Sequence, residues 1–428
     1  MHRQDTENCK RRGCSAMISN ILKSSILLIF TLSLNACSHV ESNSDAVIIE
    51  EQSASSIITN LRNLDVNQSR TGIDSNLELF LKGYEHLQIG NIDKAYDVFI
   101  SLRSDQSKEA KEYGEYGLLL ITFETENMPD MQQSIQSIKS LENRSSWLSK
   151  ELRDYEIYYN YNIANFVRAG ELLGLVPVTE VYNNALLGSI KADLYIRENE
   201  LDEAKNILEQ LKVDSEYSIS IEARLISLTN GTSDTVDYVK SKVTTYPDNE
   251  YLRLLYNQYL IQTKQQEAID NAYILGMETE NSYILAHSIE LLFPDATGSK
   301  TLERLNTLYD KLNSSSTAKS YIDYYLIKIA LPIDDEEMTI NLATANEFNP
   351  MNYYLLMHKY YVATDKESQL IALKNLEKID PYDNYILFEL AKFYKINSMD
   401  KELAEVKRRF NSSNRLKSKD EIEFISTI

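Results

Sequence analysis

Thiols are scarce in this sequence. Its 428 residues hold three cysteines, Cys9, Cys14 and Cys37, so nothing after position 37 can supply a disulfide, a thiolate zinc site or a thiol nucleophile. That pattern suits an oxidising exported compartment, where a stray thiol is a liability. Glycine (12) and proline (7) are also sparse, which argues against a long, turn-rich β architecture. The histidines are scattered and form no His-Glu-x-x-His pair, which argues against a metal site. No Gly-x-Gly-x-x-Gly or Walker loop is present, which argues against nucleotide binding. Positive charge is in deficit: 44 Lys and Arg face 64 Asp and Glu, a formal net charge of −20. Nucleic acid and anionic lipid headgroups would be repelled. One uncharged, mostly apolar run stands out at residues 24–34. At roughly 11 residues it is too short to span a bilayer as a helix, which takes about 17–25.

The flanks of that run give it a purpose. Lys23 precedes it and Leu34-Asn35-Ala36-Cys37 closes it. A positive flank, a short apolar core and small residues before a cut make a secretory signal over residues 1–36. The closing four residues resemble the bacterial lipobox, Leu-x-Ala-Cys. The resemblance implies diacylation of the Cys37 thiol, cleavage before it, and acylation of the new amine. Five basic residues (Arg3, Lys10, Arg11, Arg12, Lys23) and two acidic ones (Asp5, Glu7) leave with the signal, and the mature charge becomes −23. Residues 1–16 mix both signs of charge, and Met17 opens a shorter, self-sufficient signal. Two starts therefore fit, a long n-region from Met1 or translation from Met17, and both give the same mature chain. Residues 37–75, rich in Ser, Asn, Asp and Gln, read as a flexible tether with an r.m.s. span of roughly 35 Å. Ser38 stands where an Asp would retain a lipoprotein in the inner membrane. By the same resemblance the expected place is the outer membrane, with the body facing the periplasm.

From residue 76 to 428 the texture is helical. Apolar residues recur at three and four from Leu77 to Leu87, Gly90-Asn91 interrupts, and the pattern resumes from Ile92 to Leu102. This is a helical hairpin with a short turn. Gly83, Leu87, Gly90, Ala95, Phe99 and Leu102 fall at the spacing of a tetratricopeptide repeat, which this stretch resembles. Gly83 and Ala95 let two antiparallel helices approach; Gly90 permits a left-handed turn. The pattern returns at Ala192, Tyr195, Ile196, Leu201, Ala204, Leu208 and Leu211, with Asn199 at the turn. It returns again at Leu252, Tyr256, Tyr259, Leu260, Ala268, Ala272 and Leu275, then more weakly at Leu356, Tyr360, Tyr361, Leu373 and Leu376, and finally at Leu387, Ala391, Tyr394, Leu403 and Ala404. Tyr246-Pro247-Asp248-Asn249, Asn349-Pro350-Met351-Asn352 and Asp380-Pro381-Tyr382-Asp383 combine a helix stop with N-capping residues. Residues 104–180 and 277–349 keep the helical period but lose the small-residue signature.

Tyrosine is abundant, 29 residues against one Trp. Clusters occur at Tyr155, Tyr158, Tyr159 and Tyr161, at Tyr321, Tyr324 and Tyr325, and at Tyr353, Tyr354, Tyr360 and Tyr361. Two accounts compete: an aromatic groove holding a peptide or glycan, or rings packed between helices. The first cluster, with Asn160, Asn162 and Asn165 beside it, is the best groove candidate. Tyr155, Tyr158, Tyr159, Asn162, Tyr256 and Tyr259 are accordingly the candidate partner-binding residues. Ser316-Thr317-Ala318-Lys319 has the Ser-x-x-Lys spacing of penicillin-recognising enzymes, but the Ser-Asp-Asn-like and Lys-Thr-Gly elements are missing. Asp334-Asp335-Glu336-Glu337 reads as an acidic first helical turn, or as a docking patch for a basic partner. Lys407-Arg408-Arg409 with Arg415, Lys417 and Lys419 reads as a solvated last helix, or as a contact to an acidic neighbour or membrane surface.

The expected fold is an all-α superhelical solenoid of tetratricopeptide-like helical hairpins, behind a signal peptide and tether. The expected function is a non-enzymatic, lipid-anchored envelope scaffold that needs no cofactor, metal or nucleotide. Its partners would be envelope proteins bound along a concave surface, in the assembly of an outer-membrane, pilus, secretion or polysaccharide-export machine. The alternative is a surface lipoprotein that captures a peptide or glycan, which requires a deep aromatic pocket.

Overall fold

Short polar side chains decide where the helices of this chain begin. In the computed structural model, Asp74, Ser107, Ser145, Asn184, Ser215 and Asn281 each accept a hydrogen bond from a backbone N–H of the first turn that follows. Those N–H groups have no partner inside the helix, so a side-chain oxygen stabilises each start by about 1 kcal/mol. The three proline turns work the same way. Asn249, Asn352 and Asp383, each two residues after its proline, all cap.

The structure describes residues 74–428 apart from 126, 213, 296–297, 315–326 and 331–333. Cys37, the signal sequence and nearly all of the tether lie outside the described residues, as do Ser316 to Lys319 and Tyr321, Tyr324 and Tyr325. Twenty-two helices, one of them a 3-10 turn, and no strand occur among the described residues. The chain opens with α1 (Ser75–Gln88), α2 (Ile92–Arg103), α3 (Lys108–Glu124), α4 (Met128–Ser140), α5 (Ser146–Asn162), α6 (Phe166–Gly174) and the short α7 (Val178–Tyr182). The middle consists of α8 (Ala185–Arg197), α9 (Leu201–Gln210), α10 (Glu216–Thr229), α11 (Thr232–Thr245), α12 (Glu250–Leu260), α13 (Gln265–Glu278), α14 (Ser282–Leu292) and α15 (Ser299–Ser314). It closes with α16 (Asp335–Phe348), α17 (Tyr353–Val362), α18 (Lys366–Ile379), α19 (Asn384–Ile396), α20 (Asp400–Ser412) and α21 (Lys419–Thr427).

Two kinds of helix alternate. Some are buried on nearly every side: α3 from Glu112 through Phe123, α14 from Ser282 through Leu292. Others bury one stripe, such as Ile92, Ala95, Phe99 and Leu102 on α2, or Ala204 and Ile207 on α9. Steps of three and four put such residues on one face and leave the other to water. Most helices pack on the next, and α1 on α3, α8 on α10 and α12 on α14 pack across one intervening helix.

One turn geometry joins several of the hairpins. Gly90, Ala164, Asn199 and Ser398 all have positive φ, between 53° and 72°. The next amide, on Asn91, Asn165, Glu200 and Met399, then donates back to the carbonyl of His86, Asn160, Tyr195 and Tyr394, at 2.8–2.9 Å. A left-handed residue closing such a bond satisfies carbonyls that the helix end leaves open. Gly90 and Asn199 are the two turn positions expected from the sequence.

Small residues permit close approach, including where the sequence pattern hides them. Residues 104–180 do contain such positions: a Cβ built on Gly114 would lie 2.3 Å from the Arg103 nitrogen, and one on Gly117 would lie 2.2 Å from the Phe99 ring. Gly114→Ala meets backbone rather than a side chain that can swing aside. It is expected to destabilise the protein by about 1–3 kcal/mol, read as a lowered urea midpoint with unchanged slope.

Distant segments also meet. Asn281 Nδ2 donates to the Gln88 carbonyl, 193 residues away. Arg197 donates to the Ile379 carbonyl at a separation of 182, Tyr382 to Asn199 at 183, and Asn414 to the Thr229 carbonyl at 185. As one partner advances along these four contacts so does the other, while Arg224 and Asp380 meet at a separation of 156.

Candidate functional site

Three of the six candidate partner-binding residues are core residues. Tyr155 and Tyr259 are 1% exposed and Tyr158 is 0% exposed. Phe123 of α3 meets Tyr155 edge-on and Tyr158 at a tilt, both on α5, at ring-centroid distances of 4.9 and 4.4 Å, and Tyr217 of α10 joins them at 6.4 Å from Phe123. Tyr116 adds an edge contact to Tyr155 and donates to Glu151 at 2.8 Å. Successive inner helices thus fill the space between them with their own rings, where the groove account needs room for a ligand. The amides are engaged locally as well: Asn162 donates to the Tyr158 carbonyl at 3.0 Å, and Asn165 to Asn160 at 3.1 Å. Tyr159, Asn162 and Tyr256 keep partial exposure and are the members of that set a partner can reach.

The most concentrated chemistry is a buried ionic joint that the sequence pattern does not reveal. Asp193, on α8, accepts from Tyr161, from Arg224 of α10 and from Arg197 Nε, the last at 2.6 Å. Arg224 extends its other nitrogen to Asp380 at 3.0 Å, and Arg415 reaches the second Asp380 oxygen at 2.5 Å. Three guanidinium groups and two carboxylates therefore sit together, all largely removed from water. The Arg197 guanidinium lies 4.5 Å from the centre of the Phe166 ring. Helical periodicity places Arg224 among Ile219, Ile221, Ala223 and Leu225 on a mostly buried helix. A charged residue inside such a run is the one signal the sequence offers.

Burial opposes charge on Asp193, but Arg197 and Arg224 overcome it and hold the carboxyl below its ordinary value. Asp380 is depressed likewise: burial works against the charge, and Arg415 and Arg224 prevail. Depressed carboxylates contribute stability that is complete above the unfolded value of 3.8. That contribution is lost as pH falls through the lower folded value. Neighbouring Asp383, which caps α19 through the Ile386 amide at 3.0 Å, is shifted up by burial and by the charge of Asp380.

Glu216 behaves oppositely. Burial at the start of α10 pushes its carboxyl from 4.5 up to about 7, and its one side-chain partner is Asn249, at 2.7 Å. A raised carboxyl pKa means the folded state holds the proton more tightly. The contribution of Glu216 to stability is then complete below 4.5 and is lost as pH rises through about 7. Glu216→Gln, which mimics the protonated form, is expected to raise stability at pH 8 by about 1–3 kcal/mol and to change it little at pH 5. Thermal melts of both proteins at the two pH values check this.

Other charge clusters resolve into local roles. Asp334 caps α16 through the Glu337 amide, and Glu337 pairs with Lys328 at 2.7 Å. The basic C-terminal run is largely turned inward. Arg409 pairs with Glu377 and donates to the Pro381 carbonyl, and Arg415 holds Asp380. Among the described residues no group of three or more His, Cys, Asp or Glu side chains is placed to hold a metal ion, and no helix is long and apolar enough to cross a membrane. The chain matches no protein-family model and no curated protein.

Proposed function

We propose that this chain is a lipid-anchored scaffold of the bacterial envelope, a non-enzymatic protein whose body is a tetratricopeptide-like superhelix attached through Cys37 to the outer membrane. The observation that carries the reading is the alternation of fully buried inner helices with one-faced outer helices, joined by a recurring left-handed turn. A hairpin whose inner helix is buried on most sides cannot cover itself, so neighbours must stack. Distant contacts at offsets of 156 to 193 residues fit a coil whose successive turns touch. In such a tightly wound coil rings such as those around Phe123 fill the space between neighbouring helices, and partners engage what stays exposed. Tyr159, Asn162 and Tyr256 are the partly exposed residues assigned to partner contact. The glycan- or peptide-capture alternative requires a deep aromatic pocket, and the burial of Tyr155, Tyr158 and Tyr259 in the core weighs against it.

Photo-crosslinking amino acids at Tyr159 and Tyr256, with Trp147 left unaltered as a fluorescence check of folding, test the proposal in intact envelopes. Discrete protein adducts are expected from both positions. Adducts to sugar alone would favour the capture alternative, and a folded protein that yields no adduct from either would remove the scaffold reading.

A further inference from the structure

The turn between α18 and α19 lies against α8–α10 in the manner of a bound peptide. Tyr382 is 1% exposed, and its ring belongs to the apolar cluster of Ala192, Ile196, Ala204, Ile207, Ile221, Leu225 and Leu228, all contributed by α8, α9 and α10. Its hydroxyl donates to Asn199, in the α8–α9 turn, at 2.5 Å. Two residues earlier, the Asp380 carboxylate accepts from Arg224 at 3.0 Å. One residue before that, the Ile379 carbonyl accepts from Arg197 at 2.9 Å. Residues 379–382 are thus held through a main-chain carbonyl, a carboxylate, a ring and a hydroxyl, each by a different group of the α8–α10 face. Packing of whole helices across this joint is slight, so the short turn carries most of it. Asn414 adds one further contact, from its amide to the Leu228 carbonyl at 2.9 Å.

We propose that the α8–α10 face is a recognition groove for an acidic–aromatic turn of the form Asp-x-Tyr, which the chain occupies with its own Ile379-Asp380-Pro381-Tyr382 segment until a partner displaces it. The self-contact is autoinhibitory. Arg224 selects the carboxylate, the apolar cluster selects the ring, and Asn199 distinguishes tyrosine from phenylalanine. An internal segment competes at an effective concentration on the order of millimolar, so a peptide added to the unaltered chain binds weakly. This inference rests on the scaffold reading and adds to it a partner chemistry.

The test uses the full chain and a fluorescein-labelled peptide spanning residues 377–386. The Tyr382→Ala protein is expected to bind this peptide at least tenfold more tightly than the unaltered chain. A peptide carrying Asp380→Ala and Tyr382→Ala should not bind. A folded Tyr382→Ala protein that binds no better than the unaltered chain overturns the proposal. If that variant does not fold, hydrogen exchange on the unaltered chain decides. Amides of residues 379–384 and 413–415 should exchange through a partial opening, at rates above those of the α14 core, and exchange only with global unfolding overturns the proposal. Both readouts use purified protein, so their failure leaves the envelope crosslinking result standing, and the converse also holds.

Discussion

Arg224→Ala is expected to lower stability by about 3 kcal/mol, the low end of the 3–5 kcal/mol typical when one partner of a buried ion pair is removed. The side chain is 4% exposed and touches both Asp193 and Asp380. Its loss leaves two carboxylates short of a partner where water cannot replace it, and an unpaired buried charge costs more than the pair contributes. The figure stays at the low end because Asp193 keeps Arg197 and Asp380 keeps Arg415. Arg408→Ala is the contrast. Its ion pair with Glu405 is half exposed on both sides, and such pairs contribute less than about 1 kcal/mol. Urea denaturation of the two variants should separate them clearly at pH 7. As pH falls through the depressed folded values of Asp193 and Asp380 the Arg224 effect should shrink, because their protonation removes much of the same attraction. A loss under 1 kcal/mol for Arg224→Ala at pH 7 would mean that the ionic joint is not a stabilising contact.

Cys37→Ala should move the protein from the membrane fraction to the soluble fraction. Each buried methylene of an acyl chain contributes about 0.8 kcal/mol of membrane affinity, and stable attachment takes two signals. In the proposed anchor a triacylated Cys37 would supply them at one residue, and alanine has no sulfur to accept the lipid. No helix of the described residues offers a membrane span to take over. Cell fractionation, with labelled palmitate as a second readout, checks the expectation. A variant as firmly attached as the unaltered protein would remove the anchor from the proposal.

Local features were legible before the structure because they depend on residues close in sequence. The Pro-x-Asn and Pro-x-Asp caps at Asn249, Asn352 and Asp383 need only a helix stop and a short acceptor side chain. Gly90 and Asn199 were readable as turns because few residues adopt positive φ without strain. Ala95, Ala204, Ala268 and Ala272 were readable as helix contacts, and each is fully buried. Gly114 and Gly117 were hidden because their close approach is to α2, and the spacing that announces it differs from that of Gly83 and Ala95. The tyrosines were ambiguous for a different reason. A ring at helical spacing satisfies a groove and a core equally, and only its neighbours distinguish the two.

By itself, the amino-acid sequence determined that the body is helical, where many of its helices start and turn, and which stripe of each outer helix faces inward. These follow from capping chemistry, backbone strain and a period of 3.6 residues, all settled within a few turns of chain. Only the tertiary structure decided that Tyr155, Tyr158 and Tyr259 belong to the core, that Arg224 bridges Asp193 and Asp380, and that Tyr382 fills a pocket made by α8–α10. Periodicity states that a face is buried, but the partner that buries it lies up to 193 residues away, and no local rule carries information over that distance.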